Sequence, residues 1–111
     1  MINFKGKKIL ITGATGGIGY ALVKKFLSLD GTVLATGTNS EKLDSLKKEF
    51  PNLNVLKFDI SDHSKVEEFI ENVASQMVGL DVLVNNAGIT MDNLSLRMKD
   101  EEWKKVIDIN L

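Results

Sequence analysis

The chain of 111 residues contains no cysteine, one proline and one histidine. Without cysteine there can be no disulfide bond, no thiolate metal ligand and no cysteine nucleophile. This composition suits a reducing compartment, and we expect a cytoplasmic protein. His63 has no further histidine or cysteine with which to build a typical metal site, so we expect no bound metal.

An excess of one charge and a long apolar run are also missing. Fourteen basic and 15 acidic residues give a net charge of −1, which does not indicate binding to nucleic acid or to an anionic membrane. No segment approaches the roughly 18 consecutive apolar residues of a membrane span, and the N-terminus lacks the apolar core of a signal peptide. With 43% hydrophobic residues, the sequence is typical of one globular domain or part of one.

Short apolar runs alternate with segments of helical periodicity along the chain. This alternation predicts an α/β fold, a doubly wound parallel sheet with right-handed crossovers and strand order 3-2-1-4. Two of the strands are apolar without interruption, which predicts burial on both faces. Strands are predicted at 8–12, 32–36, 54–59 and 81–85, and helices at 17–29, from Asn39 or Ser40 to the residue before Pro51, from 61–64 onward, and after Asp100.

Two features predict that residues 1–111 are the N-terminal part of a single larger domain. In the predicted order the fourth strand lies at an edge, yet it is apolar and carries no protective charge or proline. Trp103, Ile107 and Asn110 have helical spacing, and this last helix reaches Leu111 without a cap.

The run Thr-Gly-Ala-Thr-Gly-Gly-Ile-Gly at 12–19 follows the first strand and opens the first helix. Gly13 permits a tight turn, Gly17 lets an anion approach the main chain, and Gly19 permits close packing of the helix. The free N–H groups of the helix start would face that anion. This context predicts a site for the pyrophosphate of a dinucleotide, with a tight turn that binds no ligand as the alternative.

Joined to Asn-Asn-Ala-Gly at 85–88, the glycine spacing resembles the short-chain dehydrogenase/reductase family, which has a Rossmann-type sheet. The resemblance implies a bound nicotinamide dinucleotide and assigns each part of it to a group of residues. The pyrophosphate would contact Gly13, Thr15, Gly17, Ile18 and Gly19; the adenine would contact Asp59 and Ile60; the adenosine ribose and central cofactor would contact Asn86, Ala87 and Gly88.

The end of the second strand bears on which nicotinamide cofactor is bound. An acidic residue there would bind the ribose 2′-hydroxyl of NAD and repel the 2′-phosphate of NADP. The chain instead has Gly-Thr-Asn-Ser at 37–40, with Thr38 as a donor and Lys42 nearby, while Asp30 precedes the strand. This favours NADPH. NAD remains the alternative, because Thr15 and its neighbour stand where many NADP-preferring relatives carry arginine or lysine.

The same resemblance implies catalysis by a tyrosine, a lysine four residues later, a serine and an asparagine. Asn110 matches the asparagine of the proton relay, the alternative being a polar residue at a frayed helix end. Tyr20 and Lys24 have the right spacing but belong to the first helix, so we interpret Tyr20 as a packing residue and Lys24 as solvated. Because the serine and the Tyr-x-x-x-Lys pair are absent, we expect these 111 residues alone to be inactive.

Residues 88–103, with Asp-Asn-Leu followed by Arg-Met-Lys, closely resemble the 3-oxoacyl-[acyl-carrier-protein] reductases. This implies a homotetramer that uses NADPH to reduce 3-oxoacyl thioesters of acyl carrier protein in fatty acid synthesis. Arg97 and Lys99 are either docking charges for the acidic carrier or ordinary surface charges. The alternatives are another short-chain dehydrogenase, acting on acetoacetyl-CoA or on a sugar or steroid alcohol, and a non-catalytic dinucleotide-binding module.

Overall fold

A computed structural model of the chain describes residues 3–59, 63–86 and 107–110. Within these ranges the first seven elements follow the predicted alternation, with ends that differ by a few residues at most. The strands are β1 Lys8–Thr12, β2 Thr32–Gly37, β3 Asn54–Lys57, β4 Val82–Asn85 and β5 Ile107–Asn110, and the helices are α1 Gly17–Ser28, α2 Ser40–Glu49 and α3 His63–Gln76. Sequence predictions for Ile60, Ala87, Gly88, Arg97, Lys99, Asp100 and Trp103 fall outside the described residues.

The strands form a parallel sheet in the order β3-β2-β1-β4-β5, which confirms the predicted α/β fold and the 3-2-1-4 arrangement of the first four. From β1 the chain adds β2 and then β3 on one side, and afterwards crosses to β4 on the other side. The order therefore reverses between β1 and β4. In sheets of this kind, ligands bind in the crevice outside the carboxyl ends of the strands at that reversal.

The prediction of a helix through Ile107 and Asn110 is wrong, because residues 107–110 form β5 and pair in parallel with β4. Apolar and polar residues alternate there as Ile-Asp-Ile-Asn, a period of two that suits a strand. The backbone of β4 supplies the hydrogen-bonding partners. β4 is thus an interior strand and needs no edge protection, and Asn110 ends β5 in register with Asn85 rather than belonging to a helix.

Helices cover both faces of the sheet, so the central strands are buried on both sides, as predicted. Leu10 packs on the face of α3, together with Leu83 from β4 and Val73 from the helix. Ile9 and Ile11 point to the opposite face, which α1 and α2 cover. Ile9, Leu10 and Ile11 are all 0% exposed. Burial of this kind contributes roughly 1.5–3 kcal/mol per large side chain and holds the strand ends in place.

A polar row crosses the sheet at the carboxyl ends of its strands. Thr12 of β1 pairs with Asn85 of β4. On the other side of β1, Ile11 pairs with Ala35 of β2, so the next residue of β2, Thr36, lies level with Thr12. These polar side chains are at most 2% exposed. The Thr12 hydroxyl lies 3.3 Å from the Val84 carbonyl oxygen and 3.4 Å from Asn85 Oδ1, whereas Thr36 Oγ1 has no hydrogen-bond partner within the described ranges.

Thr36→Val is expected to raise the free energy of unfolding by about 1–2 kcal/mol, because a methyl group replaces a buried hydroxyl that has no partner among the described residues. Thr12→Val is the matched control and should lower it by about 1 kcal/mol, because it deletes a hydroxyl that donates a hydrogen bond. Denaturant titration of both variants measures the difference. A Thr36→Val variant less stable than wild type would contradict the assignment of this hydroxyl as unpaired.

Candidate functional site

The loop that follows β1, residues 13–16, is called the glycine loop below and is tied to two neighbouring strands. Gly13 has φ +62°, a left-handed conformation that glycine adopts without steric cost. The Ala14 N–H donates to the Thr36 carbonyl oxygen at 2.8 Å, and Asn86 Nδ2 donates to the Gly13 carbonyl oxygen at 3.0 Å. The loop is therefore held between the end of β2 and the segment after β4.

The N-terminus of α1 follows directly and is suited to an anion. Gly16 is the N-cap and has no side chain to cap the helix, and the first turn carries no acidic residue. The first backbone N–H groups of a helix lack acceptors within it, and the helix dipole adds partial positive charge there. The start of α1 therefore offers donors that have no acceptor within the helix, at the point where the strand order reverses.

Two glycines of this turn have different surroundings. A Cβ added to Gly19 would lie 2.5 Å from Ala14 Cα and 2.6 Å from its carbonyl carbon and oxygen, so α1 touches the glycine loop through bare backbone. A Cβ added to Gly17 would meet no atom of the described residues within 4 Å. The tight turn at Gly13 and the close packing at Gly19 are as predicted, while contact of Gly17 with a pyrophosphate remains a prediction.

Gly37 is the last residue of β2 and lies beside the glycine loop. The Phe58 N–H donates to its carbonyl oxygen at 3.0 Å, and a Cβ added to Gly37 would lie 2.8 Å from Thr15 Cγ2. The sequence left open whether Asn39 or Ser40 caps α2. Asn39 does so, because its side-chain oxygen accepts from the Lys42 backbone N–H at 3.1 Å.

A cavity of about 440 Å³ opens between α1 and α2, next to the glycine loop. The Tyr20 hydroxyl on its wall donates a hydrogen bond to the Glu49 carboxylate, and the Tyr20 ring lies 5.7 Å from that of Phe50. The residues that line the cavity are Thr15, Tyr20, Glu41, Lys42, Ser45, Leu46 and Glu49.

The hydrogen bond to Glu49 raises the pKa of Tyr20, and desolvation and the negative charge of Glu49 raise it further. This hydroxyl therefore stays protonated at neutral pH and joins α1 to α2. Lys24, four residues on, is exposed. The interpretation of Tyr20 as a packing residue and of Lys24 as solvated is confirmed.

The other described site residues lie at the same carboxyl edge of the sheet. Ile18, in the first turn of α1, is 62% exposed. Thr38 is exposed just beyond β2, and Asp59 is exposed beyond β3. Asn86 is half-buried beyond β4. The structure thus brings together the ends of four strands that are far apart in sequence.

Sequence reasoning missed two features of this edge. One is the close approach of Thr15 to Gly37, and the other is the row of buried polar side chains that includes Thr12 and Thr36. The only sequence signal for the first was a glycine where related sites use an acidic residue.

Within the described part of the chain no cluster of acidic or histidine residues could hold a metal ion, and no helix is long and apolar enough to cross a membrane.

Known proteins resemble the chain along its whole length. The relatives below are 3-oxoacyl-[acyl-carrier-protein] reductases, and the chain spans about half the length of each. The protein of Rickettsia conorii is 46% identical over 112 residues, covering 100% of this chain and 45% of the relative. That of Thermotoga maritima is 42% identical, covering 99% and 46%, and that of Escherichia coli is 38% identical, with the same coverage.

Solved structures resemble the fold as well. The 3-ketoacyl-(acyl-carrier-protein) reductase of Brucella melitensis, complexed with NADH, has a TM-score of 0.69 and 31% identity, covering 78% of this chain and 36% of that one. A short-chain dehydrogenase from Streptomyces avermitilis has a TM-score of 0.67 and 33% identity, covering 76% and 31%. A sequence model described as short chain dehydrogenase matches residues 7–111. A parallel sheet with a glycine turn at its reversal point, together with this match, places the chain in the short-chain dehydrogenase family, oxidoreductases that bind a nicotinamide dinucleotide.

Proposed function

We propose that the chain is the N-terminal, cofactor-binding part of a single-domain reductase that converts 3-oxoacyl thioesters of acyl carrier protein to 3-hydroxyacyl thioesters with NADPH. The observation that supports this proposal most is the start of α1 without a side-chain cap at the reversal of strand order. There Gly19 packs on Ala14, and Gly17 faces space that no described residue fills. The named reductases, which match nearly the whole chain, support the substrate class. We propose a homotetramer and a role in fatty acid synthesis on the same grounds.

The residues present fit the pyrophosphate of such a cofactor. The backbone N–H groups of Gly17, Ile18 and Gly19 would bind its oxygens, while Gly13 and Thr15 would shape the turn around it. Asp59 and Ile60 would hold the adenine. Asn86, Ala87 and Gly88 would lie along the ribose and central cofactor, and the hydrogen bond from Asn86 to Gly13 couples this segment to the glycine loop.

A bound cofactor would supply the hydride for the carbonyl carbon, and the carbonyl oxygen would take up a proton to become the 3-hydroxyl group. We propose Asn110 as part of the proton relay, since its backbone ends β5 at the carboxyl edge of the sheet. The family's tyrosine, lysine and serine do not occur at matching positions in these 111 residues. The 111 residues alone should therefore not turn over substrate.

NADPH is proposed over NADH because nothing acidic stands at the end of β2. Gly37 has no side chain, Thr38 offers an exposed hydroxyl, and Asn39 caps α2. Lys42 lines the adjoining cavity. The Brucella reductase carries NADH in its crystal structure, so NAD is the competing cofactor to be tested.

The protein at its natural length is expected to bind NADPH at least about tenfold more tightly than NADH. One charge-assisted hydrogen bond to the 2′-phosphate is worth about 1.5–3 kcal/mol, which corresponds to this factor. Titration of the reduced-nicotinamide fluorescence measures both dissociation constants. Equal dissociation constants would contradict the NADPH preference.

The proposed substrate is tested with the same protein at its natural length. Acetoacetyl-acyl carrier protein should oxidise NADPH with a higher kcat/KM than a small acetoacetyl thioester, because the carrier adds contacts. Equal values for the two thioesters would count against the carrier as partner. Oxidation of a sugar or steroid alcohol without reduction of either thioester would favour a different short-chain dehydrogenase.

A further inference from the structure

At Gly37 the neighbouring atoms, and not the backbone conformation, leave no room for a side chain. It is buried at the end of β2, and its φ lies outside the left-handed region that favours glycine. A Cβ built there would lie 2.8 Å from Thr15 Cγ2, 3.5 Å from Thr15 Oγ1 and 3.7 Å from Leu43 Cδ2. The Thr15 methyl group therefore occupies the space in which a side chain of residue 37 would begin.

The backbone that precedes Thr15 is held in place, so its methyl group can leave this space only by rotation about χ1. Its neighbour Ala14 is hydrogen-bonded to the Thr36 carbonyl oxygen of β2, and Gly13 is held by Asn86 Nδ2. The loop is thus fastened to the same strand whose end the methyl group covers. A threonine side chain is also restricted about χ1, because two heavy atoms branch from its Cβ.

We infer that Thr15 and Gly37 act as one specificity unit, in which the Thr15 methyl group excludes an acidic side chain from the end of β2 and so leaves room for a 2′-phosphate. The inference rests on the proposed function, since it requires the adenosine ribose to lie beside Gly37. It assigns discrimination between the two cofactors to a contact between the glycine loop and β2. It also implies that an aspartate at position 37 reaches the ribose 2′-hydroxyl only after Thr15 loses its methyl group.

The test compares dissociation constants for NADH and NADPH in Gly37→Asp, Thr15→Ser and the double variant, each in the protein at its natural length. Thr15→Ser removes only Cγ2 and keeps the hydroxyl. The Gly37→Asp variant should lose NADPH affinity without gaining NADH affinity. The double variant should bind NADH at least about tenfold more tightly than Gly37→Asp alone, a strong departure from additivity for two residues in contact.

Thr38→Asp, with and without Thr15→Ser, is the matched control, because Thr38 is exposed. The effects of that pair should be additive. The inference is overturned if Gly37→Asp alone binds NADH as tightly as the double variant does. It is also overturned if the double variant gains no NADH affinity over Gly37→Asp.

If Gly37→Asp does not fold, Gly37→Ala decides, because its single Cβ meets the same methyl group. Its thermal midpoint should fall below that of wild type and recover when Thr15→Ser is added. Absence of recovery overturns the inference. A wild type that binds NADH as tightly as NADPH would refute the proposed cofactor preference but leave the coupling between positions 15 and 37 measurable, so the two failures can be told apart.

Discussion

Gly19→Ala is expected to lower the free energy of unfolding by about 2 kcal/mol. The new Cβ would lie 2.5–2.6 Å from the backbone of Ala14, which cannot rotate away as a side chain can. Overpacking of this kind costs up to about 3 kcal/mol. Alanine is favoured over glycine in a helix by about 1 kcal/mol, which offsets part of the loss. Denaturant titration monitored by circular dichroism measures the change.

Gly17→Ala is the matched control, two residues earlier in the same helix turn. Because its Cβ would meet no atom within 4 Å in the part of the chain that the structure describes, it should unfold at the same denaturant concentration as wild type or a higher one. Its dinucleotide affinity should nevertheless fall about tenfold or more, because the methyl group would stand between the helix N–H groups and the pyrophosphate. Equal loss of stability in the two variants would contradict the division of roles between these glycines.

Leu10→Ala is expected to lower the free energy of unfolding by about 3–4 kcal/mol. Leu10 is 0% exposed in the middle of β1 and belongs to the core formed with Leu34, Leu83 and Val73. Removing buried methyl groups loses transfer free energy and leaves a cavity that the surrounding strands and α3 fill only in part. Thermal or denaturant unfolding measures the loss.

Leu56→Ala makes the same chemical change on β3, where the side chain is 37% exposed. It should cost less than about 1 kcal/mol, because less apolar surface returns to water and no closed cavity forms. A similar cost for both leucines would show that the core on the α3 side contributes less to stability than its burial indicates.

Local signals in the sequence predict most of the fold. The glycine spacing after an apolar run marks the turn from β1 into α1, and helical periodicity marks α1, α2 and α3. The uninterrupted apolar residues of β1 and β4 indicate strands covered on both faces. Right-handed crossovers then leave few possible strand orders, and the observed order of the first four strands is the predicted one.

Residues 107–110 show where such signals are insufficient. The apolar residues at 103 and 107 fit a helical period, while Ile-Asp-Ile-Asn fits a strand period equally well. The neighbouring strand decides between helix and strand, because β4 presents a row of backbone donors and acceptors to which this segment hydrogen-bonds. A helix would pair these backbone groups within the segment, whereas a strand pairs them with a neighbour, and the sequence of the segment does not show that such a neighbour is present.

The sequence by itself determined the family and the order of the first four strands, and it predicts where a dinucleotide would bind, because glycines, apolar runs and helix caps act over a few neighbouring residues. Only the tertiary structure decided which glycine packs against backbone and which faces space that the described residues leave open. It also decided that the Thr36 hydroxyl is buried without a partner among those residues and that Thr15 covers Gly37. These distances depend on strand register and on the path of the glycine loop, which bring residues distant in sequence to within a few ångströms of each other.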